Sequence, residues 1–450
     1  MGHVDCDVAI VGARCAGAPL ATLLARSGLR VVVLEQATFP RDTMSTHIME
    51  ANGVAFLDRL GVADRVKQTG APFHEISDAR FEDLRLVRRI PSEAGDIGGG
   101  ASVRRFVLDP ILAEAATEAG VDVRMGATVA ELLRSGDRVT GVRYRRDGVI
   151  EDLTARLVVG ADGRNSTVAR LAGARKYNVV PSQKFVHWGF YEGADLSGPA
   201  TIVFHRWKDR LIIACPADSG LYQVVMMLDP YLRDRFRADL LGSFDEVARS
   251  CEPVAAVLSQ AKVSGKVFGM VHWEGYFRDA TGPGWVLVGD AGNFKDPAPG
   301  QGIGDAFRQV DELAPAIVKG LEANSLDECL IEWGRWRDSD AQPMSWLAAD
   351  LGKEGPTPMV VVEISRRLES VGRYDEVMRI FAHRQDPTKI FTPGAVMAAT
   401  ARLMFRRGTP RRQLLKEVRT LIAEDMKRQK LNKTPAYAAG ADNAGETEVD

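Results

Sequence analysis

The chain has 450 residues, enough for two or three domains at about 150 residues each. Its 45% hydrophobic and 26% charged residues are those of an ordinary globular protein, and a formal net charge of −2 gives no overall attraction to nucleic acid or anionic membrane. Five scattered cysteines, never spaced Cys-x-x-Cys, argue against a disulfide framework and a zinc site, and read as those of a reduced, cytoplasmic protein. Asp5 and Asp7 interrupt any signal-peptide pattern, and no run reaches the length of a membrane span.

In chain order, 7–11 is an apolar β-type run, followed by a glycine-bounded turn at 12–17 and a helical stretch to about residue 26. A second buried strand at 29–35 ends in Glu35 and completes a βαβ unit. Helical periodicity covers 47–60, and 75–100 is a strand pair ending in three glycines. A helix at 109–120 precedes a meander at 121–125, 139–144 and 149–153, which returns into a strand ending at Gly160. From 176 to 278 the pattern is strand-like at 185–191, 201–205, 211–215 and 223–228, broken by one amphipathic helix at 231–260. Trp285-Val-Leu-Val reads as a strand running into Gly289-Asp290, with a Pro/Gly-rich turn and a helix through Phe307 to Ala314 behind it.

This order predicts an α/β fold. A discontinuous Rossmann-like domain (1–75, 101–175, 279–320) carries an inserted antiparallel β-sheet substrate domain (76–100 and 176–278). A helical C-terminal region (321–433) follows, with Trp333, Trp336 and Trp346 as packing anchors, then a disordered tail (434–450). The basic stretch 402–433 reads as a solvated amphipathic helix.

Four strand ends carry chemistry. Gly12 and Gly17 suit the tight turn and close helix packing of a dinucleotide motif, but Arg14 replaces the middle glycine and offers a guanidinium to phosphate. Glu35, 18 residues beyond Gly17, stands where a carboxylate accepts adenosine ribose hydroxyls and disfavours a 2′-phosphate, pointing to FAD or NAD. Arg104-Arg105 precedes a helix, Asp162-Gly163 ends a strand, and Asp290 ends another beside a helix start whose N–H groups suit a hydroxylated anion. His74, His187, His205, His272 and His383 lack ligand spacing, so no metal is expected; His187-Trp188 and His272-Trp273 stay open as pocket lining.

The ordered set G-x-x-x-x-G, R-x-x-L-D, G-A-D-G-x-x-S and G-D-A-G…P-x-x-G-x-G, over residues 5 to about 320, resembles the FAD-dependent aromatic hydroxylases (class A flavoprotein monooxygenases). That family shares its glutathione-reductase-type FAD fold with geranylgeranyl reductases and flavin-dependent halogenases. The resemblance implies FAD on the turn Gly12, Ala13, Arg14, Ala16 and Gly17, with Glu35 on the adenosine ribose and Arg105 on the phosphate or ribityl region. It implies Asp162 and Gly163 near the pyrophosphate, Asp290 on the ribityl hydroxyls, and Gly300, Gly302, Ile303 and Gly304 donating N–H groups toward the pyrimidine edge. Pro297, packed beside the isoalloxazine, and His47, in a segment near the ring, are the catalytic candidates; for His47, acid/base work, substrate binding and helix capping (shared with Ser45 and Thr46) all stay open. Asn293 departs from the histidine many hydroxylases carry there.

The implied activity is monooxygenation of an aromatic or lipophilic small molecule through a flavin hydroperoxide, with NADH or NADPH as transient reductant. No second dinucleotide fingerprint exists, so transient docking and a flavin- or ferredoxin-type reductase partner both fit. A C=C reductase of the geranylgeranyl type is the alternative, although Met44-Ser-Thr-His47 replaces its Pro-Cys-Gly-Gly segment. Halogenation is disfavoured because no lysine occurs between Lys67 and Lys176 and Trp188-Gly-Phe-Tyr is not Trp-x-Trp-x-Ile-Pro. A non-catalytic flavin carrier ranks last. Phe190, Phe204, Trp207, Tyr222 and Met226 are candidate pocket residues.

Overall fold

The valine-rich run Cys6–Val11 lies between Val31–Glu35 and Val149–Gly160, parallel to both, with Val8 opposite Val31 and Leu157. Trp285–Leu287 joins parallel to Val149–Gly160, and Asp122–Met125 parallel to Val31–Glu35. Successive side chains point to opposite faces. Val8 and Ile10 therefore pack with Leu20, Leu24, Leu112 and Ile317 from the helices Gly17–Arg26, Arg105–Glu118 and Gly302–Glu322. Ala9 and Val11 pack with Val142, Tyr144 and Val168 on the meander side. Burial on both faces explains why these strands are continuously apolar. Their parallel order also gathers the strand ends Val11, Glu35, Gly160 and Leu287 on one rim. The computed structural model describes residues 4–438.

Among the described residues a second sheet has seven strands: Lys262–Met270, Phe185–Glu192, Tyr222–Leu228, Arg210–Pro216, Thr201–Trp207, Ile76–Phe81 and Leu84–Arg89, in that spatial order. Ile76–Phe81 pairs parallel to Thr201–Trp207 and turns back into Leu84–Arg89. One face packs against the helices Arg233–Ala238, Leu240–Arg249 and Glu252–Val257, the other against Met359–Ser370, Asp375–Phe381 and Pro393–Phe405. The mixed α/β architecture with a helical C-terminal region matches the fold class read from the sequence.

Three local readings change. The helix expected at 109–120 begins at Arg105 and carries Pro110 inside it. The single helix expected at 231–260 is three, because Asp239 leaves helical geometry to accept the Gly242 N–H, and Pro253 starts a new helix after Cys251. Of the tail expected to be disordered, Thr434–Ala438 is ordered: Tyr437 bridges to Tyr177, and the Arg175 guanidinium lies 4.0 Å above its ring. Residues 439–450 lie outside the described residues.

Candidate active site

A cavity of about 510 Å³ opens at the rim of the parallel sheet. At about 10–15 Å³ per water, it holds tens of waters, the scale of a dinucleotide. Its wall takes Arg14, Glu35, Asp162 and Asp290 from the strand ends, and Trp188 and Met270 from the second sheet.

The first turn depends on its glycines. Gly12 has φ +100°, and a Cβ there would lie 2.5 Å from the Ala161 carbonyl oxygen. A Cβ on Gly17 would lie 1.8 Å from the Gly12 carbonyl oxygen. Glu35 locks this turn from beneath, accepting the Ala13 N–H and the Ala37 N–H, each at 2.9 Å. Each carboxylate oxygen keeps a further acceptor site. Gly12, Arg14 and Ala16 line the cavity, while Ala13 and Gly17 do not reach it and serve as its backing.

A positive wall follows. Asp109, fully buried, accepts Arg105 Nε at 2.6 Å and Nη2 at 3.1 Å, and Arg14 Nη1 stands 3.7 Å away. Two guanidiniums share one carboxylate, leaving one net positive charge. Arg14 Nη1 is buried without a hydrogen-bond partner, a donor held for an acceptor the chain does not supply. Both arginines line the cavity.

Asp162 has a local task as well. It accepts Ser166 Oγ at 2.5 Å and the Thr167 and Val168 N–H groups at 2.7 and 3.1 Å, so it caps the helix Thr167–Ala172 while lining the cavity beside Gly163. Burial raises its carboxyl above the usual range.

The Gly289–Gly292 turn is held from behind. Tyr276 OH donates to the Asp290 carbonyl at 2.8 Å, Arg278 to that of Ala291 at 2.9 Å, and the buried Arg337 to that of Gly292 at 3.1 Å. Burial pushes the Asp290 carboxyl up to about 6, opposed by Arg164 and Arg105. Asn293 donates to the Tyr276 carbonyl at 2.9 Å, a tie between strands. Beyond it, Pro297, Gly302 and Ile303 line the cavity where the helix Gly302–Glu322 starts without a side-chain cap, leaving its first N–H groups for a ligand. Gly300, at φ +70°, faces away from this cavity.

His47 stands apart. It is 3% exposed, has φ +58°, and does not line the cavity; its Nδ1 accepts the Arg105 N–H at 3.0 Å and its carbonyl accepts the Val103 N–H. Burial first, then Arg105 and Arg104, push its imidazole down to about 3, so it stays neutral and helps start the helix Arg105–Glu118. In this arrangement the His47 ring holds the Arg105 N–H and lies behind the cavity wall.

The aromatic candidates are also not gathered: Tyr222 and Met226 face the helix-covered core, Trp207 stacks on His205, and Phe204 faces the opposite side. Sequence reasoning missed Lys295, 8% exposed on the cavity wall, with its ammonium on Asp305 at 2.7 Å and Gln301 at 2.6 Å. Its position five residues after Asp290 was the available signal. Among the described residues no cluster of His, Cys, Asp or Glu is arranged to hold a metal, and no helix is long and apolar enough to cross a membrane.

Comparison with known proteins places this geometry. The chain is 23% identical over 363 residues to 1H-pyrrole-2-carbonyl-[peptidyl-carrier protein] brominase of Pseudoalteromonas luteoviolacea, covering 77% of this chain and 84% of that one. It is 26% identical over 338 residues to 6-methylpretetramide 4-monooxygenase of Streptomyces rimosus, covering 72% and 78%. The solved flavin-dependent brominase Bmp2 superposes with a TM-score of 0.72 at 19% identity, over 89% of this chain and 98% of that one, a likeness of fold. Digeranylgeranylglycerophospholipid reductases are matched as well. Residues 5–333 match the family model described as the FAD binding domain, and the chain belongs to this family of FAD-dependent oxidoreductases.

Proposed function

We propose that the protein is an FAD-dependent monooxygenase that places one atom of O₂ in an aromatic or lipophilic small molecule and releases the other as water, with NADH or NADPH giving two electrons. The observation that carries this is one cavity joining an anion-binding rim to apolar side chains of the second sheet. The residues fit FAD: the orphaned Arg14 donor and the Arg105 guanidinium suit its pyrophosphate, and Gly12 leaves the close approach that a Cβ would fill. Bound there, FAD supplies electron transfer and oxygen activation.

The chain supplies the rest. Glu35 receives ribose hydroxyls and Asp290 ribityl hydroxyls. The free N–H groups at Gly302 and Ile303 hold negative charge that develops beside Pro297. Val186, Trp188 and Met270 line the wall where water is to be kept out. Five unpaired, buried cysteines suit a reducing cytoplasm, and the missing second dinucleotide site suits a transiently docked nicotinamide or a reductase partner.

Oxidative halogenation is the second reading, favoured by Lys295 on the wall and by the brominase likeness. Its ammonium is paired with Asp305 and hydrogen-bonded to Gln301, which holds it charged and turned to those partners and counts against that chemistry. Turnover under ¹⁸O₂ with and without bromide separates the readings: we expect ligand-stimulated NAD(P)H oxidation and one labelled oxygen in the product. A brominated product, or a saturated unlabelled one, would show that the chemistry is halogenation or C=C reduction instead.

A further inference from the structure

The C-terminal helical hairpin lies outside the region that matches the FAD binding domain, and one of its faces has no work in the fold. Residues 402–433 carry eleven Lys and Arg against three Asp and Glu, so positive charge gathers there in a chain of net charge −2. Of the fifteen large apolar side chains left exposed among the described residues, five fall within 397–426. Single scattered exposures need no explanation, but a concentration of them does.

The helix Arg411–Lys433 is held in one orientation. Leu414 is buried in the second-sheet core with Val418 and Leu421 beside it, Glu417 accepts the Val360 N–H at 3.0 Å, and Arg428 binds Asp350 at 2.6 Å. On the opposite face Leu415, Ile422 and Met426, spaced by seven and four residues, form one stripe and are 44%, 50% and 61% exposed. Along the same helix Arg412, Lys416, Arg419, Lys427, Lys430 and Lys433 are exposed and make no ion pair, while Asp425 is its one exposed acid. Phe405, which ends the preceding helix Pro393–Phe405, is 89% exposed. Arg411 Nε donates to the Met404 carbonyl at 3.0 Å, which ties that end of the hairpin to the start of the stripe.

A helix face built only for water carries no such apolar stripe. Nucleic acid would pair the cations and leave the stripe in water, and a second copy would set cations against cations. An anionic bilayer surface satisfies both features, because its headgroups take the cations and its acyl boundary takes the stripe. We propose that the outward face of Arg411–Lys433, together with Phe405, docks the protein on an anionic membrane surface without crossing it. This assignment does not depend on the monooxygenase reading.

Vesicle flotation of the full-length protein tests it. Phosphatidylcholine vesicles with about one third phosphatidylglycerol should bind at least about tenfold more tightly than phosphatidylcholine alone, and about 0.5 M salt should remove most of that gain. Arg412→Gln, Arg419→Gln and Lys430→Gln combined should weaken binding to the anionic vesicles at least about tenfold. Ile422→Ser with Met426→Ser should weaken it about threefold or more and leave its salt dependence unchanged. Ile422→Cys carrying a polarity-sensitive dye reads insertion, since the five native cysteines are buried, and its emission should shift to the blue on anionic vesicles. The dye needs no charge variant, so this readout stands even where the triple variant fails to fold. Affinities for neutral and anionic vesicles within about twofold of each other would overturn the proposal. So would an unmoved dye on vesicle-bound protein, which means adsorption by charge alone. A dimer in solution that Ile422→Ser with Met426→Ser dissociates would give the face to a second copy instead.

Discussion

The large cavity and a smaller chamber of about 60 Å³ lie on either side of the 297–302 loop, yet they are built by opposite means. The cavity wall is charged and backbone-rich, assembled at strand ends where turns and helix starts leave N–H groups unpaired. The chamber wall is apolar and made of side chains from the middle of the second sheet and from C-terminal helices. The first geometry suits a charged, hydroxylated ligand, the second an apolar one. Perturbing each side separately tests that division.

The largest effect is expected from the turn. Gly12→Ala drives a Cβ toward the Ala161 carbonyl at a left-handed φ, so FAD occupancy should fall at least about tenfold. Flavin content of the purified variant measures this. Next is the positive wall. Arg105→Met leaves Asp109 buried with only the distant Arg14, and FAD Kd should rise about 100-fold, against about tenfold for Arg14→Met, by fluorescence titration. Equal losses would remove the distinction drawn between the two arginines.

A smaller effect probes the chamber. The carboxyl of Glu50, on the chamber wall, is raised by burial from 4.5 to about 7 and binds its proton more tightly in the folded state. Its contribution to stability is therefore full below about pH 4.5 and is lost as pH rises through about 7. Glu50→Gln should melt a few degrees above wild type near pH 8 and level with it near pH 4.5, with FAD content unchanged. The smallest effect belongs to the seam. His47 lies between Thr46 on the cavity and Ile48 on the chamber and is already neutral at physiological pH. Asn tolerates its left-handed φ and offers an acceptor to the Arg105 N–H, so His47→Asn should cost less than about tenfold in turnover and leave the pH–rate profile unmoved. A shifted profile would assign an acid/base role to His47.

What could be read from the sequence follows the same division. Glu35, Arg105, Asp162 and Asp290 could be grouped in advance because each ends a strand or opens a helix, and parallel strands end on one rim. The chamber carried no such signal, since it exists only because Ile76–Phe81 pairs with Thr201–Trp207 and Asp375–Phe381 folds over both. Lys295 carried no motif of its own; it reaches the cavity wall only because the loop after Asp290 turns back against Asp305. The place of the His47 ring was not legible for a tertiary reason: the Arg105 N–H that occupies it is 58 residues away. The second-sheet aromatics were not separable by type, because alternation along a strand sends Phe204 and Tyr222 to different cores.

The most direct test of the account is a crystal structure of the protein with FAD. The account predicts the adenosine ribose on Glu35, the pyrophosphate between Gly12 and the Arg14–Arg105 wall, and the isoalloxazine beside Pro297, with the Glu50 chamber free of cofactor. FAD seated with its ring away from Pro297, or extending into the chamber past Gly300, would contradict it.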